Sequence, residues 1–252
     1  MNKAKFNNLN RKAHRYLGLI IGIQFLFWTV GGLYFAFSDM DEIHGDHQRK
    51  HVMMQPYDSL VSPSEVIRKV KEIYTVDSIE SLRLVSVLGN PVYQLIYHHQ
   101  HMGHMQMTQL ADARTGDLLP PISKEQGIAI AKEHFNATAE IVKVEYLETT
   151  NGHHEYREKP LPAWAITFDH PSNTTVYIAA NLGTVQSFRN NKWRVFDFLW
   201  MLHTMDYESR DNFGNILLRA FSLFGLATIC SGFILFFATQ KKSAKKSKKQ
   251  LS

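Results

Sequence analysis

The sequence predicts an α+β protein in which two helix-plus-antiparallel-sheet units in tandem lie between two transmembrane helices. Three observations predict it. Long apolar runs without a charge occur near both ends of the 252-residue chain. Between them, a capped helix followed by strand-like segments occurs twice. The basic residues outside this middle region collect beyond the two apolar runs, which is the pattern that holds chain ends in the cytoplasm.

Residues 1–16 form a basic N-terminus with Lys3, Lys5, Arg11, Lys12 and Arg15 and no acid. The tail 240–252 carries Lys241, Lys242, Lys245, Lys246, Lys248 and Lys249, again with no acid. Residues 17–239 then hold 17 basic residues against 23 acids, a net charge of −6. The pI of 9.2 therefore belongs to the tails. A nucleic-acid-binding domain would need a basic stripe on its folded part, so that class is set aside. The single cysteine, Cys230, falls inside an apolar run and permits no intrachain disulfide.

The first run, residues 17–38, reads LGLIIGIQFLFWTVGGLYFAFS and ends sharply at Asp39, Asp41 and Glu42. Its 22 residues exceed the ~20 that a helix needs to cross the hydrocarbon core. The second run, 220–239, lies between Arg219 and Lys241. Basic flanks stay inside, which puts both termini in the cytoplasm and residues 39–219 outside an inner membrane of bacterial type. Ala36-Phe37-Ser38 loosely resembles a cleavage site, so a signal peptide is the rival reading of the first run. The run is longer than the usual signal core, which favours an uncleaved anchor. Gly18 and Gly22 form a G-x-x-x-G pair, with Gly31 and Gly32 further on. Such positions let helices approach closely, which makes a homodimer or a partner membrane protein, beside the lipid bilayer itself, the expected partners.

After a linker at 39–61, the first unit (62–122) opens with Ser62-Pro63-Ser64-Glu65. The second (123–191) opens with Ser123-Lys124-Glu125-Gln126. Both starts read S-x-x-E/Q, a capping box. Val66, Ile67 and Val70 in one, and Ile128, Ala131 and Phe135 in the other, recur at helical spacing. SLRLVSVL, PVYQLIYHH and MTQLADARTGDLL follow the first helix, and EIVKVEYLET, AWAITFDH and TTVYIAANLGTVQSF follow the second. Alternating β-branched and aromatic residues suit a half-buried antiparallel sheet. Leu110–Gly116 aligns with Tyr177–Gly183, both ending in a glycine placed for a turn of positive φ. Residues 192–219 read as an interfacial amphipathic helix and loop, with Trp193, Phe196, Trp200 and His203 at helical spacing.

An S-x-x-E helix, strands, and the turn V-Y-x-x-A-x-x-G-x-V at Val176–Val185 resemble the PepSY domain. Arg11–Gly18 entering the first run, and Leu202-His203-Thr204 before the last, resemble the PepSY-associated membrane helices. The resemblance covers nearly the whole chain. It implies a binding or inhibitory module rather than an enzyme. It also brings in larger relatives that are membrane reductases with histidine-ligated haem. On that ground His203 and His14 are candidate haem ligands. They lie at opposite faces of the membrane, so one haem cannot join them; a haem would need a ligand such as His44 or His47 beside His203, or a second chain.

Of the 13 histidines, 11 lie between residues 44 and 170. The densest group is His98, His99, His101, Met102, His104 and Met105, with Met107 beside it. Imidazole suits Zn²⁺, Cu²⁺ and iron while thioether selects Cu⁺, so the mixture points to copper before zinc, and copper or iron is the expected cofactor. Met53, Met54, His44, His47 and His51 add similar ligands near the first span. The competing reading is a hairpin turn around Gly103. On a regular strand His98 and His104 face one way and His99 and His101 the other, so convergence requires a loop. His153-His154 reads as a solvated loop. There is no H-E-x-x-H, no P-loop and no dinucleotide fingerprint.

The sequence therefore describes a two-pass membrane protein with an extracytoplasmic binding domain, acting in copper or iron handling or in metal-linked electron transfer. The alternative is a non-catalytic sensor or peptidase-regulating module that binds a partner polypeptide. A place as a subunit of a larger, reductase-type complex is the third reading.

Overall fold

The computed structural model describes residues 3–99 and 105–250, with side chains described over 8–99 and 106–237. The described chain divides into two compact units, Asp39–Arg194 and a second built from the segments on either side of it.

The second unit is helical. Helix α1 runs Lys3–Phe37 and α6 runs Ile216–Gln250. Asn8–Phe37 and Ile216–Phe237 are long and apolar enough to cross a membrane, and most of their apolar side chains are exposed rather than packed inside the protein. A soluble protein does not leave such stretches uncovered, since each buried large side chain is worth about 1.5–3 kcal/mol. Polar groups join the helices at a few points. The Gln24 amide donates to the Leu202 carbonyl at 2.8 Å, and Asn10 donates to the Ser231 carbonyl at 3.4 Å.

The Asp39–Arg194 unit opens with a short helix, α2 (Met40–His44), capped by the Asp39 side chain on the Asp41 N–H. It then repeats one order of elements. Helix α3 (Pro63–Ile73) is followed by β1 (Ser78–Val87), β2 (Asn90–His99), β3 (Met105–Asp112) and β4 (Leu118–Leu119). Helix α4 (Lys124–His134) is followed by β5 (Ile141–Leu147), β6 (Ala163–Phe168), β7 (Thr175–Ala179) and β8 (Thr184–Arg189). Each half is a four-stranded antiparallel sheet in sequential order. Helix α5 (Asn191–Thr204) leads out.

The two helix starts differ from each other. Ser123 and Gln126 form the full capping box, each side chain accepting the other's backbone N–H. Ser62 makes no cap bond: Pro63 occupies the first helical position, and the Ser62 hydroxyl pairs with that of Ser64 at 2.7 Å instead. The expected box is therefore absent there. The aligned turn glycines do share one geometry, Gly116 at φ 72° and Gly183 at φ 67°, both in the region that glycine enters without a Cβ penalty.

Strand alternation divides the core. Tyr93, Leu95 and Tyr97 on β2 pack with Val66 and Val70 of α3. Val92 on the opposite face joins Val87 and Leu110 in a cluster with Ile130 and Phe135 of α4 and Ile166, Phe168, Val176 and Ile178 of the second sheet. The two halves thus share one core. Within it Phe135 stacks on Phe168 with centroids 4.3 Å apart. The other face of the second sheet, with Ala163, Ala165 and Tyr177, is covered by Tyr156 from the 148–162 connection, whose ring stacks on Tyr177 at 4.7 Å.

Candidate functional site

Helix α1 places His14 facing α6. Its Nδ1 lies 2.7 Å from the Ser231 hydroxyl, which itself donates to the Thr228 carbonyl at 2.7 Å. When the serine proton goes to that carbonyl, Ser231 accepts from His14 Nδ1–H. The imidazole lone pair is then on Nε2. A metal-bound histidine uses this division, with one nitrogen on the metal and the other donating to a protein oxygen.

His203 sits in an aromatic cage built by α1 and α5. Trp200 lies parallel to it at 6.3 Å, with Trp28 at 5.9 Å and Phe35 at 6.0 Å. His203 Nδ1 and Trp28 Nε1 are both sealed from solvent with no hydrogen-bond partner among the described residues. Buried polar nitrogens without partners are uncommon. His14 precedes Trp28 by 14 residues on one helix, about 21 Å along its axis. Each of these histidines therefore presents one imidazole at its own level. Neither completes a bis-histidine haem site alone, and no third histidine belongs to this unit.

The loop between α5 and α6 is organised by Asp206. Its carboxylate accepts from the backbone N–H groups of Glu208, Ser209 and Asn212 and from the Ser209 hydroxyl. Burial alone would raise its pKa, but these donors hold it down at about 2. Arg210 pairs with the buried Asp197 on α5.

In the other unit, His98 and His99 end β2. Successive side chains on a strand leave on opposite faces, so the two do not converge. His98 Nε2 lies 3.1 Å from Glu80 Oε2 on β1, and Gln106 of β3 donates to the same oxygen at 2.7 Å. Glu80 was not singled out by the sequence; only the register Ser78↔His98 and His98↔Gln106 brings it there. His101, Met102 and His104 lie outside the described residues, as does the side chain of Met105. Met107 packs with Tyr97 in the core rather than joining the ligands. No cluster of three or more His, Cys, Asp or Glu suited to a metal occurs among the described residues.

Two further constellations appear. Glu155 and Arg194 form a two-point ion pair, Nε–Oε2 at 2.7 Å and Nη2–Oε1 at 3.0 Å, and Tyr177 donates to the same carboxylate at 2.7 Å. Burial, then the nearby Glu155 charge, push the Tyr177 phenol well above its ordinary pKa, and burial pushes Tyr156 the same way. Burial brings Arg189 down to about 10, with its guanidinium 4.0 Å over the Trp193 ring. Trp193 is thus covered by arginine rather than presented as an interface anchor. His154, read as solvated loop, accepts the Tyr156 N–H and helps to seat that buried ring.

The second is a cleft of about 340 Å³ between the halves, lined by Arg49, Lys50, His51 and His134 together with β1 and the start of β8. The contiguous Arg49-Lys50-His51 was visible in the sequence, but its convergence on His134 was not.

Residues 11–252 match the model of the family described as PepSY-associated TM region. No curated protein and no solved structure matches the chain.

Proposed function

The chain belongs to the family of PepSY-associated TM regions and is an integral membrane protein; from that premise we propose that it handles copper or iron, or passes electrons through a bound metal, in a bacterial inner membrane, with its binding domain outside the cytoplasm. In this reading both basic ends are cytoplasmic and the Asp39–Arg194 unit is outside. Its two helix-plus-sheet halves are copies of one PepSY-like unit.

The observation that carries the reading is His14. Its Nδ1 lies 2.7 Å from the Ser231 hydroxyl, and in the tautomer that donates there Nε2 is the lone pair of a metal ligand. His203, caged by three aromatic rings, is the matching imidazole at the other level. Iron held as haem would supply one-electron chemistry there, and the protein's own part would be to orient the two rings and exclude water. A second copy would provide a further histidine at each level. Gly18 and Gly22 leave open space on α1 for that approach, since a Cβ at either would meet nothing within 4 Å. Copper would fall to His101, Met102, His104 and Met105 with one of His98 and His99, which lie on opposite faces of β2.

Metal analysis and an absorption spectrum of the full chain purified from membranes test this together. Bound iron with a haem band that is lost in His14→Ala and His203→Ala supports the haem form. Copper lost in a variant replacing His98, His99, His101 and His104 supports the other. A colourless, metal-free protein that takes up neither metal overturns both.

A second reading makes the soluble unit a docking module for a partner polypeptide. Strand β5 favours it: it is an unpaired edge of seven residues, with Val142 and Tyr146 exposed. Lys143, Glu145 and the irregular register at Ile141/Lys143 blunt that edge, so the partner would need matching charges. Photocrosslinking from position 142 in membranes tests it, and an absence of any protein adduct counts against it.

A further inference from the structure

Acids outnumber bases 19 to 15 over residues 39–194, yet the cleft between the two halves is lined by Arg49, Lys50, His51 and His134 and by no acid. Its walls are Leu84, Val85 and Ser86 on β1, and Gly183, Thr184 and Val185 at the start of β8. Both strands are sheet edges, so alternate backbone N–H groups on each lack a partner within their own sheet.

The basic side chains are held in place by a strap. The Lys50 N–H donates to the His134 carbonyl and the Asn136 N–H to the Gln48 carbonyl, both at 2.8 Å, which clamps 48–50 against the end of α4. Buried Gln48 anchors the strap further, donating to Ser172 and accepting from Thr174. The Arg49 guanidinium lies 5.0 Å over the Phe188 ring, and its Nε is sealed from solvent with no hydrogen-bond partner among the described residues. Among the described residues, no carboxylate lies within ion-pair distance of Arg49, Lys50 or His51. Glu133, adjacent to His134, is the acid that acts on this group, opposed there by Arg49 and His51. A surface arginine and lysine in an acidic domain ordinarily find carboxylates. Here they stay together, on a rigid support, around a space of small-molecule size.

We propose that this cleft binds a small oxyanion, a phosphate- or carboxylate-bearing molecule. Arg49 provides a planar donor fork, Lys50 a mobile point charge, and His51 and His134 further N–H donors. The volume admits a compact polyanion and excludes a folded partner.

Calorimetry on the full chain in detergent, at low salt, tests this with pyrophosphate and with citrate; the stronger of the two tells phosphate from carboxylate. Binding of either with one site per chain is expected. It should weaken about tenfold or more in Lys50→Gln/His51→Gln, whose exposed positions leave the fold intact, and likewise in Arg49→Gln. It should be unchanged in Lys159→Gln and when the six tail lysines become glutamine. Binding that survives the Lys50/His51 change but disappears with the tail lysines overturns the proposal. So does failure of both probes at about 1 mM. Capture of a Glu-rich peptide by a cleft that ignores both probes also overturns it, in favour of a polypeptide ligand.

Discussion

Gln94 on β2 donates its side-chain amide to the carbonyl of Leu182, 2.8 Å away in the turn before β8. The residue is 6% exposed, and the bond ties the first sheet to the second inside one unit. Gln94→Leu would fill the space but leave the Leu182 carbonyl without this donor. An unpaired buried acceptor costs about 1–3 kcal/mol, more than the added apolar burial returns at a site already filled. The expected result is a loss of about 1–2 kcal/mol, read from denaturant unfolding of the full chain in detergent. An unchanged midpoint would mean that the two sheets are not coupled through this bond.

Gly127 on α4 faces Trp164. A Cβ there would meet Trp164 Cγ and Cδ1 at 3.0 Å, and the indole cannot swing away without losing its 2.8 Å bond to the Ile122 carbonyl. Gly127→Ala gains about 1 kcal/mol of helix propensity and meets an overpacking cost of about 1–3 kcal/mol. Net destabilisation of about 1 kcal/mol is expected, with a change in tryptophan emission. Stabilisation would show that α4 can shift away from β6.

Tyr156 and Tyr177 are held protonated by burial. Their folded pKa values lie above the unfolded value near 10, so the folded state keeps two protons that the unfolded chain releases. The stability they contribute is present below pH ~10 and is lost as pH rises beyond it, by about 1.4 kcal/mol per unit for each phenol. Unfolding midpoints measured between pH 9 and pH 11 should fall with this slope. Tyr156→Phe should make it shallower, while Tyr177 and Tyr97 keep their share, and an identical slope in wild type and variant would exclude the Tyr156 phenol as a source.

Asp206 is the reverse case. Its folded pKa is about 2, below the ordinary carboxylate value, because four donors converge on the ionised form. Its contribution is therefore present above pH ~4 and lost as pH falls toward 2. Asp206→Asn would turn an amide N–H₂ toward donors that need an acceptor. A loss of about 1.5–3 kcal/mol from the α5–α6 loop is expected. Proteolysis within 205–215 reads it directly, and wild-type resistance in the variant would refute it.

The histidines show where sequence reading ends. Alternation along a strand already placed His98 and His99 on opposite faces, and the structure supplies the partner of His98, Glu80, through a β1–β2 register that no local pattern encodes. His14 was legible as an imidazole entering a span. That the Ser231 hydroxyl, more than 200 residues later, lies 2.7 Å from its Nδ1 was not. The capping box at Ser123 was read correctly. The one at Ser62 was not, because Pro63 and Ser64 redirect a hydroxyl that the four-letter pattern cannot see.

By itself the sequence determined the two spans, the order of helices and strands in each half, and the turn glycines at 116 and 183. Each of these follows from hydrophobic period, charge and backbone allowance within a short window. Tertiary structure alone decided that the halves share one core across Val92 and Phe168, that Gln94 reaches Leu182, and that Arg49, Lys50 and His51 meet His134 around one cleft. Those contacts join residues 60 or more positions apart, and their energies exist only once both halves are packed.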